Sequence, residues 1–253
     1  SATAPAAAPA PAPAPVATWA LDWSDEFDGG TLDHTKWVEE TGPKWFNNEL
    51  QYYSSRPENL RVSGGNLVIE ARKEAFGGRE YTSARIKSQG LKERQYGKYE
   101  ARIKIPRGQG IWPAFWLLGA NCGAVAWPEC GEIDIMENIG KEPNIVHATV
   151  HGPGYSGDNG FGSPSKLASG GYADDYHVYA LEWEPQEMRF YRDGILYHTV
   201  KPALVKGTWV FEHPFYVILN LAVGGDWPGN PDAGTVFPQQ MLVDYVRVYK
   251  RTN

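Results

Sequence analysis

The sequence predicts an all-β protein whose antiparallel strands form a sandwich or a barrel. No stretch of the 253 residues repeats apolar side chains at the 3.6-residue period of an amphipathic helix. Short runs rich in β-branched and aromatic residues recur instead, separated by Gly, Pro, Asn and Asp. One pair of runs is joined by Asp193-Gly194, the signature of a two-residue type I′ hairpin turn.

Strand signals continue along the whole chain after an atypical N-terminal tract. The first strand begins at Trp19 and ends near Phe27. Between Tyr99 and Ile105 apolar residues alternate with charged ones, as expected of a strand with one buried face. Further strands are predicted over residues 66–72, 131–138, 145–151, 177–183, 188–192, 195–198, 215–223 and 242–250. Because no repeat or linker interrupts this series, we expect one domain over residues 19–253.

The tract that precedes the domain, residues 1–18, is predicted to be a linker. Residues 1–16 are almost entirely Ala and Pro, a composition that cannot pack a core and favours an extended chain. No charged segment followed by an apolar one precedes it. We expect a secreted, extracellular protein whose signal peptide has already been removed.

Composition narrows the class of partner. The net charge of −6 disfavours nucleic acid and favours an uncharged partner. No apolar run approaches the roughly 18 residues of a membrane span. Aromatic residues make up 13% of the chain, with 10 Trp and 14 Tyr, and such rings either stack on sugar faces or fill a core. We expect a monomer that contacts neither nucleic acid nor membrane.

An acidic segment, Gly131-Glu-Ile-Asp-Ile-Met-Glu-Asn138, places three carboxylates within six residues of a predicted strand. Alternation puts Glu132 and Asp134 on one face and Glu137 on the other. One extra residue accommodated as a β-bulge near Ile135 or Met136 would return Glu137 to the face of the other two. Two glutamates on one face can approach the ~5–5.5 Å separation of a retaining glycosidase.

Three carboxylates this close cannot all ionise freely, so the pKa of at least one should rise. A glutamate that stays protonated near neutral pH can act as a general acid. The alternatives are a charged solvent-exposed face or a metal site. Apolar Ile, Ile and Met on the opposite face, and the Trp-rich sequence before the segment, favour catalysis.

Aromatic and polar residues elsewhere could shape a cleft beside these carboxylates. Trp112 and Trp116 point the same way in a strand and form either a sugar-stacking platform or part of the core. Trp227 lies in a Gly-rich loop that suits a cleft rim. Asn47 lies in a dense polar and aromatic run suited to hydroxyl groups, and Arg85 alternates with apolar neighbours.

His147 and His151 share one face of their strand and could bind a metal, although no third ligand at suitable spacing is evident. His151 is the better candidate for a hydrogen bond to a carboxylate or a sugar, and a structural role is the alternative. Cys122 and Cys130 bracket a loop before the acidic segment. We expect a disulfide there, which would indicate an oxidising compartment, against the alternative of two buried thiols.

Asp244 is predicted to share a face with Leu242, Val246 and Val248 in the last strand. A buried carboxylate needs a partner, which could be a basic side chain, backbone N–H groups or a bound Ca²⁺.

Together these motifs resemble glycoside hydrolase family 16, and within it the bacterial laminarinases, which are endo-β-1,3-glucanases. Glu132-Ile-Asp-Ile-Met-Glu137 is similar to the family signature in the form with the extra Met, typical of laminarinases. Supporting similarity covers Asp25-Glu-Phe27, Asn47-Asn-Glu-Leu-Gln51, Trp112-Pro-Ala-Phe-Trp116, Gly225-Asp-Trp-Pro228 and Asp244-Tyr-Val-Arg-Val-Tyr249.

The resemblance implies a β-jelly roll of two curved antiparallel sheets with a substrate cleft on the concave face, and retaining hydrolysis without a catalytic cofactor. It implies Glu132 as nucleophile, Glu137 as acid/base and Asp134 as the residue that tunes them. Trp112 and Trp116 would line the subsites next to the scissile bond. Further substrate contacts are implied for Asn47, Arg85 and Trp227 on the glycone side and for His151 near the carboxylates.

The resemblance also implies one structural Ca²⁺, held by the Asp244 carboxylate and by backbone carbonyls near Glu26 and Gly65. Lys44-Trp-Phe46 departs from the Gly-rich run of many relatives, at the glycone end of the cleft. The expected substrates are β-1,3-glucans such as laminarin and curdlan. Alternatives are a glucan-binding, lectin-like jelly roll without activity, a mixed-linkage β-1,3-1,4-glucanase, an agarase or carrageenase, and a transglycosylase.

Overall fold

The computed structural model describes residues 3–13 and 15–253, in which eighteen strands form two sheets. The strands are β1 (Trp19–Asp25), β2 (Val38–Glu39), β3 (Gln51–Tyr53), β4 (Leu60–Ser63), β5 (Asn66–Phe76), β6 (Arg79–Ser83), β7 (Arg85–Lys87), β8 (Glu93–Arg94), β9 (Gly97–Lys104), β10 (Ile111–Gly119), β11 (Glu132–Glu137), β12 (Ile145–His151), β13 (Phe161–Lys166), β14 (His177–Glu184), β15 (Glu187–Arg192), β16 (Ile195–Val200), β17 (Phe215–Val223) and β18 (Gln239–Arg251). Short 3₁₀ helices span Gly157–Asn159, Tyr172–Asp174 and Pro202–Leu204.

The two sheets are antiparallel apart from one short parallel pair, β3 with β6. The ten-stranded sheet has the order β16-β15-β14-β9-β18-β5-β6-β3, with β1 beside β18 and β4 beside β5. The eight-stranded sheet has the order β13-β12-β11-β10-β17-β7-β2, with β8 beside β17. The predicted acidic strand, β11, therefore lies inside the second sheet, with neighbours on both sides.

The hydrophobic core lies between the sheets and follows the alternation of the strands. In β9, Tyr99, Ala101 and Ile103 are buried while the charged residues between them are partly exposed, as predicted. All nine residues of β17, which lies inside the sheet between β10 and β7, are buried. Trp37 and Trp183 are fully buried, so part of the aromatic content does fill the core.

The predicted hairpin is confirmed. Asp193 and Gly194 connect β15 to β16 with φ values of 50° and 77°, both in the left-handed region that a type I′ turn requires. The predicted disulfide is also present, because Cys122 and Cys130 are bonded with a Cα–Cα distance of 5.2 Å. In residues 3–13 and 15–253 no helix is long and apolar enough to cross a membrane.

The prediction that Asp244 shares a buried face with its aliphatic neighbours is wrong. A bulge between Val243 and Tyr245 interrupts the alternation of β18, so Val243 and Val246 both face the core. The Asp244 side chain is 38% exposed, and Arg102 Nη1 donates to its Oδ2 at 2.9 Å. Of the partners considered from the sequence, the basic side chain is the one observed.

Candidate active site

A β-bulge in β11 determines which way the acidic side chains point. Trp116 of β10 pairs with Asp134, and the preceding Phe115 pairs with Met136, so Ile135 has no counterpart in β10. The pairing with β12 shifts in the same interval. Ile135 and Met136 are both fully buried on the core side. The predicted bulge is therefore confirmed and centred on Ile135.

Because of this bulge, Glu132, Asp134 and Glu137 all lie on the face of the eight-stranded sheet that points away from the core. Asp134, only 2% exposed, lies between the two glutamates in sequence, and its Oδ2 is within hydrogen-bond distance of His151 Nε2, at 3.0 Å. The three acids therefore form an acidic row along the strand.

Indole N–H groups fix the two glutamates at the ends of this row. Trp112 Nε1 donates to Glu137 Oε2 at 3.1 Å, and Trp127 Nε1 donates to Glu132 Oε1 at 3.1 Å. A hydrogen bond from a neutral donor orients a carboxylate without cancelling its charge. Both carboxyl groups are thereby held in defined directions on the open face of the sheet.

His151, on the neighbouring strand β12, contacts two of the acids. Its Nε2 lies 3.0 Å from Asp134 Oδ2 and 3.4 Å from Glu132 Oε2. Glu132, Asp134 and His151 form a group that could hold a metal ion, and His147 is not part of this group. The predicted contact of His151 with a carboxylate is thus observed, and the pairing of the two histidines around one metal is not.

On the other side of β11, aromatic rings enclose Arg85. The Arg85 guanidinium lies 4.9 Å from the ring centroids of both Trp116 and Trp45, and its Nε donates to Glu40 Oε1 at 3.0 Å. Trp116 Nε1 donates to Asn220 Oδ1 at 2.7 Å. Trp45, which belongs to the atypical Lys44-Trp-Phe46 run, therefore packs against the Arg85 guanidinium. The next residue of this run, Phe46, is 77% exposed.

Two loops bring Asn47 and Trp227 to the same face. The Asn47 carbonyl accepts a bond from the Asp226 N–H at 2.8 Å, and Asn48 Nδ2 donates to the Asp226 carboxylate at 2.9 Å. Next in sequence, Trp227 packs edge-on against Trp112, with centroids 5.5 Å apart. The predicted substrate-binding residues are therefore gathered around the acidic row.

Residues 47–247 match the family model described as glycosyl hydrolases family 16. The chain belongs to this family. It is 45% identical over 247 residues to a beta-glucanase of Rhodothermus marinus, an alignment that covers 92% of this chain and 85% of the relative. It is 36% identical to glucan endo-1,3-beta-glucosidase A1 of Niallia circulans, covering 93% of this chain and 38% of that protein.

Among solved structures, this family 16 chain is similar to the catalytic domain of an endo-1,3-beta-glucanase (laminarinase) from Thermotoga petrophila RKU-1. The TM-score is 0.90 at 48% sequence identity, covering 94% of this chain and 100% of that domain. The likeness confirms the predicted jelly roll of two antiparallel sheets. Hydrolysis in this family uses no catalytic cofactor.

Three side chains belong to the site without having been predicted for it. Trp127 contacts Glu132, Asn220 contacts Trp116, and Glu49 is buried with hydrogen bonds from Asn47 and Gln51. Asn220 could have been suspected from the sequence, since it is a lone polar residue inside the apolar run of β17. The sequence indicates Trp127 more weakly, through its position in the cysteine loop five residues before Glu132.

The residues implied for calcium lie in or next to neighbouring strands of the ten-stranded sheet. Glu26 follows the end of β1, where Asp25 pairs with Val246, and Gly65 precedes β5, where Leu67 pairs with Val243. Both therefore flank the bulge that contains Asp244. The Glu26 carboxylate itself forms an ion pair with Arg247 at 2.6 Å. The Asp244 carboxylate is paired with Arg102, so Ca²⁺ would have to displace this ion pair to bind there.

The acidic row is electrostatically strained. Burial raises the pKa of Glu137 to about 8, and the charge of Glu132 adds to this rise. Burial, followed by repulsion from Asp134, also raises the pKa of Glu132 well above its ordinary value, while His151 and Trp127 oppose the rise. The pKa of Asp134 is raised by burial and by the charge of Glu137. The row therefore retains protons at neutral pH that isolated carboxyl groups would have lost.

The raised pKa of Glu137 predicts that Glu137→Gln stabilises the protein at alkaline pH. An unfolded Glu ionises near 4.5, whereas the pKa of folded Glu137 is about 8. Wild-type stability should therefore fall as pH rises between these values, because the unfolded chain releases a proton that the folded chain keeps. We expect the variant to exceed the wild-type Tm by several degrees at pH 8 and by less at pH 5, since ~1 kcal/mol corresponds to about 2–4 °C.

Thermal unfolding at the two pH values, with exposed Glu212→Gln as the control, checks this prediction. An equal Tm difference for Glu137→Gln at both pH values would contradict it.

Proposed function

We propose that the chain is an endo-acting, retaining glycoside hydrolase that cleaves β-1,3-glucosidic bonds in glucans such as laminarin and curdlan. The observation that carries this proposal is the bulge at Ile135, which turns Glu132 and Glu137 to one open face. Membership of family 16 and the similarity to a laminarinase catalytic domain support the reaction and the linkage.

The proposed reaction is a double displacement. Glu137 donates its proton to the leaving glycosidic oxygen while Glu132 attacks the anomeric carbon, forming a glycosyl-enzyme ester. Glu137, now a carboxylate, takes a proton from water as the water attacks the same carbon and releases Glu132. Asp134 supports both steps because its buried carboxyl group lies between the two glutamates, where its charge adds to the effect of burial in raising the pKa of Glu132.

The surrounding side chains suit a neutral polysaccharide. Trp112 and Trp116 would flank the sugars next to the scissile bond, and Asn47, Arg85 and Trp227 would contact the glycone side. The Arg85 charge is already paired with Glu40 and covered by two indole rings. Little free positive charge is left there for a sulfate group, which disfavours carrageenan and sulfated agars.

A product profile on laminarin, curdlan and barley glucan, followed by a reducing-end assay and chromatography, tests the activity. We expect oligosaccharides of several lengths from laminarin and curdlan early in the reaction. Binding without new reducing ends would instead favour the lectin-like alternative. Faster cleavage of barley glucan than of laminarin would favour the mixed-linkage alternative.

Proton NMR of the first products tests the stereochemistry. A retaining enzyme releases the β-anomer first, and the α-anomer appears later by mutarotation. The α-anomer as the first product would overturn the double displacement.

The pH dependence of kcat/KM should be bell-shaped. Activity should fall as pH rises through about 8, because the general acid Glu137 loses its proton there. The raised pKa of Glu132 places the acidic limb above the ordinary glutamate value of 4.5. Since the row titrates as a unit, the limbs describe the row rather than single residues. Initial rates at low laminarin concentration from pH 4 to 10 measure both limbs, and an alkaline limb below about pH 6 would contradict the prediction.

We further propose that the protein is secreted and monomeric and that residues 1–18 act as a linker, consistent with the disulfide and the Ala/Pro composition. A structural Ca²⁺ held by Asp244 and by backbone carbonyls near Glu26 and Gly65 is also proposed. Its test is thermal unfolding, in which EDTA should lower the Tm and added Ca²⁺ should restore it. An unchanged Tm would contradict this metal site.

A further inference from the structure

A buried carboxyl group that the proposed reaction does not use lies next to one of the predicted substrate contacts. Glu49 follows Asn47 by two residues and is only 9% exposed. Its Oε2 accepts a bond from Asn47 Nδ2 at 3.2 Å, and its Oε1 accepts a bond from Gln51 Nε2 at 3.0 Å. Burial raises the pKa of Glu49, whereas these two bonds and the charge of Arg85 oppose the rise. Because each oxygen receives an N–H, the arrangement suits the ionised carboxylate.

The direction of these hydrogen bonds is fixed by a backbone group at the end of β17. The Val223 N–H donates to Gln51 Oε1 at 2.8 Å. The two atoms of a side-chain amide can exchange places by rotation, but a backbone N–H can only donate. The amide oxygen of Gln51, which is fully buried, therefore faces Val223, and its NH₂ group faces Glu49.

The same bonds determine which atom of the Asn47 amide faces outward. The Asn47 backbone is held by the neighbouring loop, because its carbonyl accepts the Asp226 N–H at 2.8 Å. Its side chain is exposed, so rotation of the amide costs little packing. Both oxygens of the Glu49 carboxylate can only accept, so Asn47 Nδ2 must face Glu49. Asn47 Oδ1 is thereby turned away from Glu49, as a hydrogen-bond acceptor.

We propose that Glu49 is a positioning residue for Asn47, which it orients so that the Asn47 amide presents an acceptor oxygen to a sugar hydroxyl. This inference rests on the proposed function and specifies one feature of the glycone end of the cleft. The hydrogen-bond series starts at the Val223 N–H, passes through the buried side chains of Gln51 and Glu49, and ends at the exposed amide. The sugar hydroxyl that meets this amide acts there as a donor.

Reversing the middle of this series should reverse its end. In Glu49→Gln, the amide oxygen at position 49 must still accept from Gln51, because a buried N–H without an acceptor is costly. The NH₂ group at position 49 then faces Asn47. Asn47 rotates to accept that bond and offers its own NH₂ group to the cleft. The buried hydrogen bonds are all kept, while the group presented to the sugar changes from acceptor to donor.

The double exchange Glu49→Gln/Gln51→Glu should restore the original direction. The carboxylate at position 51 accepts the Val223 N–H and also a bond from the amide at position 49. The oxygen of that amide then accepts from Asn47 Nδ2, as in wild type. The exchange keeps one buried negative charge, so comparison with Glu49→Gln separates the direction of the bonds from the loss of charge.

Steady-state kinetics on laminarin measure the consequence for the substrate. We expect Glu49→Gln to raise KM about five- to tenfold, the net contribution of one hydrogen bond, with a smaller change in kcat. The double exchange should return most of this loss. In an Asn47→Ala background, Glu49→Gln should change KM by less than about twofold, because the residue through which it acts is gone. Exposed Glu58→Gln is the control and should match wild type.

Two kinetic results would overturn the proposal. The same rise in KM on Glu49→Gln with and without the Asn47 amide would remove the positioning role. A double exchange that is folded by circular dichroism but has the KM of Glu49→Gln would remove the hydrogen-bond series as its cause.

A second measurement needs neither activity nor the double exchange. In ¹⁵N-labelled protein the side-chain NH₂ resonance of Asn47 is identified by its absence in Asn47→Ala. Its exchange with water should be slow in wild type, where Glu49 accepts from it, and several-fold faster in Glu49→Gln, where it faces solvent. Equal exchange rates in the two proteins would overturn the series. Slow exchange in a wild-type protein without activity on laminarin would instead show that the proposed function is wrong.

Discussion

Glu132→Gln is expected to reduce laminarin turnover by about 10⁴-fold or more while oligosaccharide binding stays within a few-fold of wild type. The carboxamide oxygen is too weak a nucleophile to form the glycosyl ester, so the first step fails. Glutamine has the same size and can still accept the bond from Trp127 Nε1, so the cleft should keep its shape. Reducing-end release and calorimetric titration with laminari-oligosaccharides measure the two effects.

Glu129→Gln is the matched control, because this exposed glutamate lies three residues earlier in the same segment. It should retain wild-type turnover. Normal turnover in Glu132→Gln would remove the nucleophile from the proposed mechanism, and loss of oligosaccharide binding would point to a misfolded site.

Glu137→Ala is expected to lose about 10²–10⁴-fold on laminarin, the usual contribution of a general acid. An aryl glycoside with a good leaving group needs no protonation, so the variant should still form the glycosyl-enzyme from it. Hydrolysis of that ester should then be slow, because no base activates water. Azide, which needs no base, should restore turnover and give a β-glycosyl azide.

Glu132→Ala provides the contrasting variant for this experiment. Azide there would attack the substrate directly from the face left open by the missing carboxylate, giving an α-glycosyl azide. The anomer formed, read by NMR, therefore assigns each glutamate independently. Failure of azide to accelerate Glu137→Ala on the aryl glycoside would argue against Glu137 as the acid/base.

The features that could be predicted from the sequence are those governed by local alternation. The acidic strand and its bulge followed from three carboxylates whose spacing cannot otherwise share a face. Trp112 and Trp116 point to one face, as two residues four apart in a strand must. The hairpin at Asp193-Gly194 followed from the backbone geometry that those residue types favour.

The prediction that failed and the features that were not predicted all depend on long-range contacts. The exposure of Asp244 is set by a bulge that nothing in the local pattern of β18 reveals. Short strands such as β2 and β8 exist only because partners far along the chain pair with them. Trp127 reaches Glu132 through the path of an irregular loop, and Trp45 reaches Arg85 across the fold. The local periodicity of the sequence does not predict contacts between residues that are brought together only by the fold.

The bulge also determines which length changes this segment tolerates. Removing Ile135 or Met136 would leave the three acids at positions one, three and five of an uninterrupted ribbon, where they still face the same way. The loss would fall on core packing, since both side chains are fully buried. Adding a residue between Glu132 and Asp134 would instead turn one acid inward. A one-residue deletion at the bulge therefore keeps the three acids on one face, whereas a one-residue insertion between Glu132 and Asp134 does not. A strand without a bulge would lose the shared face in either case.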